Sequence, residues 1–207
     1  MRPRRRPARQ NDPAGLRRKV LDAAFTLFQA RGYNGTSMQE LMVAADLSGG
    51  ALHHHFPSKK SLILAVFKDR VAPAVRETWI EPVRGAASLG AAVQLVFDQI
   101  IAGLEERGAV SGCPLNNLAL ELSLADPDFR AAAAEIFREW QEALSERVRE
   151  TQGGRELSKS ARAEIAAFIV SSYSGAMTLA KAEQNAKPLR STAQTLKRWL
   201  QSRLLDS

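Results

Sequence analysis

Apolar residues recur at helical spacing along almost the whole chain. From Leu16 the first run sets Leu21, Phe25 and Phe28 at i, i+4 and i+7, flanked by Val20, Ala24 and Leu27, and Gly32 stops it. Thr36-Ser37 opens a short second run with Met38, Leu41, Met42 and Ala45 on its apolar face. Glu40, three residues after Ser37, completes a capping-box pattern. Asp46-Leu47-Ser48-Gly49 reads as a turn. A third short helix runs from about Ser48 to Phe56, Pro57 ends it, and a fourth starts near Ser58. Further on, Val93, Phe97, Ile100, Ile101 and Leu104 make one stripe, and Leu115, Leu118, Ala119 and Leu122 another. Asp126-Pro127 starts a long helix through Phe129, Ile136, Trp140, Leu144 and Val148, which Gly153-Gly154 ends. Ser158 caps the next, with Ile165, Phe168, Ile169, Ala176 and Leu179, and Pro188 opens the last, with Leu196, Trp199, Leu200 and Leu204. No alternating strand pattern with hairpin turns and no internal repeat occurs. The prediction is an all-α fold of about nine helices.

Within residues 16–56 the order is helix, helix, tight turn, helix, with the last two joined by three or four residues: the helix-turn-helix pattern. Leu41, Ala45, Leu47, Leu52 and Phe56 would form its small core. A plain three-helix bundle explains those apolar positions. It does not explain a third helix whose outward positions are Ser, Gly, Ala and His instead of Glu and Lys. Charge sharpens the difference. The net charge is +7, and residues 1–60 hold 11 Lys/Arg against four Asp/Glu, so the remaining 147 residues are neutral. A basic segment on a neutral body points to a polyanion, most often nucleic acid, although a solvated tail that aids solubility has the same composition. The chain divides on this reading into a disordered Arg/Pro-rich arm (1–13), a helix-turn-helix part (14–64) and a larger helical part (65–207).

All three histidines, His53, His54 and His55, are adjacent in "SGGALHHHFPSKKSL". On a helix they point 100° apart and fan over most of the circumference, whereas zinc needs imidazoles converging from i, i+3 or i+4. The one cysteine, Cys113, lies 58 residues beyond His55. No metal and no other cofactor is therefore expected. A DNA reading uses the same residues better. A short helix entering a major groove must be slim at its N-terminal end, which Gly49, Gly50 and Ala51 supply. Imidazole N–H groups can donate to phosphates or to guanine. The Ser48 and Thr36 hydroxyls can hold phosphates, and Lys59 can pin a flanking one.

The stretch "GYNGTSMQELMVAADLSGGALHHHFPSKKSL" resembles the DNA-binding domain of the TetR family of bacterial transcriptional regulators. The likeness rests on Gly32-Tyr33, Thr36-Ser37, and the Leu52, His55, Phe56, Lys59 spacing, and covers about residues 16–64. It implies Thr36 and Ser37 at the DNA beside Ser48, the Gly49–Ala51 edge, His53–His55 and Lys59. It also implies a homodimer on a partly palindromic double-stranded operator, and a C-terminal domain that dimerises through its last two long helices, about 158–184 and 188–205, and holds a small-molecule effector. Two positions depart from the family pattern. His53 stands where the family usually has Tyr, and Gly49 where it has a basic or polar residue. The Arg-rich arm could compensate by lying in a minor groove.

For the effector pocket, "GCPLNNLALELS" places Cys113, Asn116, Asn117 and Glu121 beside apolar residues, and an Asn buried in a helix needs partners that a ligand could supply. Asn116 or Asn117 could equally face solvent. Phe97, Phe137, Trp140 and Tyr173 are aromatic candidates for the lining, although such stripes also serve as plain core. Enzyme readings do poorly, because there is no nucleophile elbow, phosphate loop or metal-ligand pair. A lone cysteine excludes an intramolecular disulfide and fits a reducing cytoplasm, and no uninterrupted apolar run nears the roughly 18 residues of a membrane helix. The leading expectation is a ligand-released homodimeric repressor. The alternatives are a redox or electrophile sensor acting through Cys113, and a helical interaction protein that does not bind DNA.

Overall fold

The computed structural model describes residues 12–204, so residues 1–11 of the expected basic arm lie outside the described residues. The first three helices are α1 (Pro13–Arg31), α2 (Met38–Ala44) and α3 (Gly49–His55). α1 starts earlier than its apolar period. Asp12 accepts the Gly15 amide at 2.8 Å, and Pro13 occupies the first turn, where no amide hydrogen is needed. Its fully buried stripe is Val20, Leu21, Ala24 and Phe28. α2 carries the expected capping box: Ser37 Oγ accepts the Glu40 amide at 3.1 Å, and the Glu40 carboxylate accepts the Ser37 amide at 2.7 Å. Two nested bonds close the turn into α3, Leu47 N–H to the Met42 carbonyl at 3.0 Å and Asp46 N–H to the Val43 carbonyl at 3.1 Å. This is a Schellman arrangement. It holds Asp46 at φ 53°, a left-handed position that a short polar side chain tolerates better than most.

The segments Lys59–Val66, Phe67–Val71, Ala72–Val75, Arg76–Ile80 and Glu81–Gly85 run on without a break as one helix, α4. It contains Pro73 and Pro82, each of which removes an amide donor and crowds the carbonyl four residues back. A wide turn precedes each proline. The Ala72 amide reaches the Phe67 carbonyl and the Glu81 amide reaches the Arg76 carbonyl, five residues back in both cases. Local widening lets both prolines sit inside the helix without ending it. The domain division expected after residue 64 thus falls within a continuous helix.

The body is completed by α5 (Leu89–Arg107), α6 (Pro114–Leu122), α7 (Pro127–Glu150), α8 (Lys159–Glu183) and α9 (Lys187–Leu204). Nine helices and no strand make up the described residues, as the apolar pattern predicts. α8 packs on α7 and α9, and α9 packs on α5. Four helices meet at an aromatic knot. Trp79 of α4 lies 4.9 Å from both Trp140 of α7 and Tyr173 of α8, and 5.8 Å from Phe97 of α5, measured between ring centroids. Burying each ring stabilises the fold by about 1.5–3 kcal/mol, and each tilted pair adds about 0.5–1.5 kcal/mol. α8 is long and apolar enough, by length and composition, to cross a membrane, although polar residues interrupt its apolar run. Its apolar face, from Ile165 to Ala180, is buried against neighbouring helices, as in a core helix.

Candidate functional site

At the outer edge of the helix-turn-helix, Ser48 caps α3 by accepting the Ala51 amide at 3.4 Å. Leu52 and Phe56 turn inward and are each 3% exposed, while Gly49, Gly50, His53 and His54 are exposed and Ala51 and His55 half-buried. A Cβ added at Gly50 would meet nothing within 4 Å, and one at Gly49 only Met42 Sδ at 3.6 Å. These glycines are not demanded by packing inside the chain. They leave the helix bare of side chains at the end that would approach a second molecule. The His54 and His55 rings stand edge to face at 5.5 Å, and among the described residues no three His, Cys, Asp or Glu are grouped to hold a metal ion. Ser37 is exposed at the start of α2, with its hydroxyl also donating to Glu40.

Two expected DNA contacts are placed differently. Thr36 is 1% exposed, and its hydroxyl donates to the Gly32 carbonyl at 2.9 Å, so it closes the α1–α2 connection. Lys59 turns inward. Its ammonium donates to the Tyr33 carbonyl and lies 4.1 Å from the centre of the Tyr33 ring. Burial lowers the pKa of this amine, and nearby Glu121 and Glu40 oppose that effect. The Thr36 hydroxyl hydrogen is thus spent inside the chain, and Lys59 spends one of its three N–H donors on the Tyr33 carbonyl. Other charges of this part are also engaged: Arg17 with Asp69, Arg31 with Glu40, and Lys60 with both Asp126 and Asp128 at 2.7 Å.

Of these pairs, Lys60 with Asp126 and Asp128 belongs to a clasp between the helix-turn-helix and the body. The Glu121 carboxylate on α6 accepts the amides of Tyr33 and Asn34, at 2.9 and 2.7 Å. Gly32 makes the approach possible. It ends α1 at φ 77°, ψ 168°, a backbone region open in practice only to glycine, and a Cβ there would stand 2.8 Å from Glu121 Oε2. On the other side of α6, Gln29 Nε2 donates to the Gly112 carbonyl at 2.7 Å. The Tyr33 ring packs between Phe28 and Phe129, 5.6 Å from each. A nine-residue helix is therefore tied at both ends to the last turn of α1 and the loop after it. Sequence reasoning gave Gln29, Lys60 and Glu121 no such role, because each pairs with a group at least 66 residues away.

The expected pocket residues separate into three places. Cys113, Trp140 and Tyr173 line a small internal cavity of about 60 Å³ together with Trp79, and Phe97 sits in the aromatic core behind it. Asn116 and Phe137 line a second, open groove of about 510 Å³ between α6, α7 and α8. Asn117 lines neither of these spaces. It donates to the Ser111 carbonyl at 2.9 Å and accepts from Lys181 at 3.1 Å, which pins the loop before α6. Trp79 was missed, since a tryptophan in a helix looks the same whether it faces a cavity or a filled core. Burial pushes the Cys113 thiol up, and pushes the Tyr173 hydroxyl well above its usual range.

A short exposed helix, slim at its N-terminal end and held by a second helix through a tight turn, defines a helix-turn-helix DNA-binding regulator. Residues 20–66 match the model described as bacterial regulatory proteins, tetR family, and residues 90–195 match the LmrA/YxaF-like transcriptional regulator C-terminal domain. The chain belongs to the TetR family of bacterial transcriptional regulators. It is 25% identical over 173 residues to the HTH-type transcriptional regulator LmrA of Bacillus subtilis (strain 168), covering 84% of this chain and 90% of that protein. It is also 25% identical over 182 residues to the HTH-type transcriptional repressor DhaR of Mycobacterium sp. (strain GP1), covering 84% and 86%. A solved TetR transcriptional regulator from Chloroflexus aurantiacus superposes with a TM-score of 0.81 at 27% identity, covering 94% of this chain and 98% of the other.

Proposed function

We propose that the protein is a homodimeric repressor that binds a partly palindromic operator and releases it when a small organic molecule occupies the body. The observation that carries this reading is the clasp. The helix-turn-helix presents the bare edge of α3 outward, and the turn behind it is held by Glu121 on a helix whose other residues line a cavity and a groove. A change at that helix has a direct route to the orientation of α3. Repression is supported by similarity to proteins named as repressors. Dimerisation is supported by an exposed apolar surface on the last two helices. Phe168 and Leu179 are 47% and 56% exposed on α8, and the Phe168 ring packs 4.7 Å from that of Trp199 on α9. A dimer must hold its two recognition helices about 34–36 Å apart to reach successive major grooves.

The reading of Cys113 as a redox or electrophile sensor gains no support from its surroundings. The residue is 7% exposed and its thiol is held protonated by burial, the setting of an inert structural cysteine. The test is a gel shift of the protein on the DNA upstream of its own gene. With six to ten phosphates contacted, affinity falls roughly 10³–10⁵-fold between 50 and 200 mM salt. No shift at low salt, or a shift indifferent to salt, contradicts the proposal. Sedimentation of a monomer at micromolar concentration contradicts the dimer.

A further inference from the structure

We propose that a second copy of the chain covers the groove between α6, α7 and α8, so that α6 lies in the subunit interface together with α8. This rests on the homodimer of the reading above and extends its contact surface onto α6. The groove runs into the face that supports a dimer. Phe168, Ser171, Gly175 and Leu179 are exposed at i, i+3, i+7 and i+11 of α8, which is one stripe of a helix. Ser171 and Gly175, in the middle of that stripe, are also wall residues of the groove. Leu120 of α6 lines the same groove and is 78% exposed, and Leu124, in the turn after α6, is 97% exposed. An apolar surface of this kind with nothing over it marks a contact with another molecule.

Three observations favour a second copy as the occupant. The first is direction. Apart from Trp199, the outward positions of α9 are polar, among them Arg190, Gln194, Lys197, Arg198 and Gln201, so the apolar surface of α8 continues toward α6 and not across α9. The second is size. The α8 stripe alone is about 17 Å long and one helix wide, a fraction of the roughly 800 Å² per partner that a stable interface buries. The groove and the two leucines enlarge it. The third is charge. No Asp, Glu, Lys, Arg or His lines the groove. A two-fold interface sets one patch against itself, and an uncharged patch brings no like charges together, whereas an acidic or basic partner would find nothing there to pair with. Gly175 agrees with close approach. A Cβ added there would meet nothing within 4 Å, so packing inside the chain does not require glycine at this place. Leu120 precedes Glu121, so the partner would rest on the short helix that accepts the Tyr33 and Asn34 amides.

The test uses the full chain and two measurements. Sedimentation equilibrium compares the wild type with the double variant Leu120→Glu, Leu124→Glu, with Phe168→Glu, and with Val43→Glu, an apolar position on α2 that is 71% exposed. Folding of each is checked by circular dichroism. Every substitution enters a two-fold dimer twice, so the double variant should dimerise roughly a hundredfold more weakly or worse, and Val43→Glu as the wild type does. Hydroxyl-radical footprinting of the wild type then follows the side chains as protein concentration is raised through the dimer constant. Leu120 and Leu124 should lose reactivity in step with Phe168, while Val43 keeps its own. A wild type that stays monomeric at micromolar concentration overturns this inference and the homodimer together. If the wild type dimerises and Phe168→Glu weakens it while the double variant does not, this inference alone fails and a dimer through α8 and α9 stands. It also fails if Leu120 and Leu124 stay reactive in the dimer, or if they are unreactive at every concentration, which would mean that something other than a second copy covers them.

Discussion

The outer edge of the helix-turn-helix and its inner edge are built in opposite ways. At the outer edge Gly49, Gly50, His53 and His54 are exposed, and the space around Gly50 is empty. At the inner edge Thr36, Tyr33, Lys59 and Lys60 each find partners, several of them in the body. The contrast shows that a basic stretch of sequence is not the same as charge available to DNA. Of the basic side chains at positions 12–60, Arg17, Arg31, Lys59 and Lys60 are committed to partners within the chain. What the outer edge offers instead is bare backbone, hydroxyls and imidazoles. We propose that much of its electrostatic attraction comes from the five arginines of residues 1–11. Removing that arm should flatten the salt dependence of operator binding and leave the fold intact.

Changes at the inner edge should have the larger effect on stability. Gly32→Ala forces a Cβ against Glu121 in a backbone region that other residues avoid. It should cost about 1–3 kcal/mol from backbone strain alone and lower the melting temperature by several degrees in a thermal scan. Wild-type stability in this variant would mean that the clasp is not held as described. Glu121→Ala removes the acceptor of two amides and should cost about 1–3 kcal/mol. It should also alter operator affinity although Glu121 grips the turn from the body side. Unchanged affinity would mean that α6 does not govern the reading head. The outer edge should behave in the reverse manner. Gly50→Ala should raise helix stability by at most about 1 kcal/mol, leaving the melting temperature equal or slightly higher, while operator binding weakens because a methyl now covers the backbone.

The smallest effect is expected from pH at the Lys60 contact. Lys60 holds the Asp126 carboxyl below the usual carboxylate range. The folded value is depressed, so the contribution is present above the ordinary value near 4 and is lost as pH falls through the lower folded value. Asp126→Asn keeps a side chain able to cap α7 and removes the charge. Melting temperatures followed from pH 5 down to pH 2 should fall less steeply in that variant, and identical slopes would show that the pair contributes nothing.

Much of this arrangement was legible in the sequence. The Ser37–Glu40 box, the stop at Gly32, the caps at Asp126 and Ser158 and the apolar stripes depend on neighbours within a few residues, and the structure has them. α4 was harder to read, because two prolines inside a helix are accommodated by wide turns that leave no mark in composition. The direction of Lys59 was hidden for a different reason. Its partner is a carbonyl 26 residues earlier, and a lysine at a helix start is as plausible toward phosphate as toward a backbone oxygen. Asn116 and Asn117 are neighbours 100° apart on one helix. One lines a groove and the other pins a loop, and only the placement of α8 decides between them.

The central claim is that DNA meets the bare edge of α3. The most direct measurement is equilibrium binding of the wild type and of Gly50→Glu to duplex DNA from upstream of the gene, at one fixed salt concentration, with both melting temperatures recorded. The new carboxylate would point into empty space in the free protein and toward phosphate in the complex. The account predicts equal melting temperatures, within about 1 kcal/mol of stability, and an operator affinity lower by roughly tenfold to a hundredfold. Equal affinities for the two proteins would contradict it.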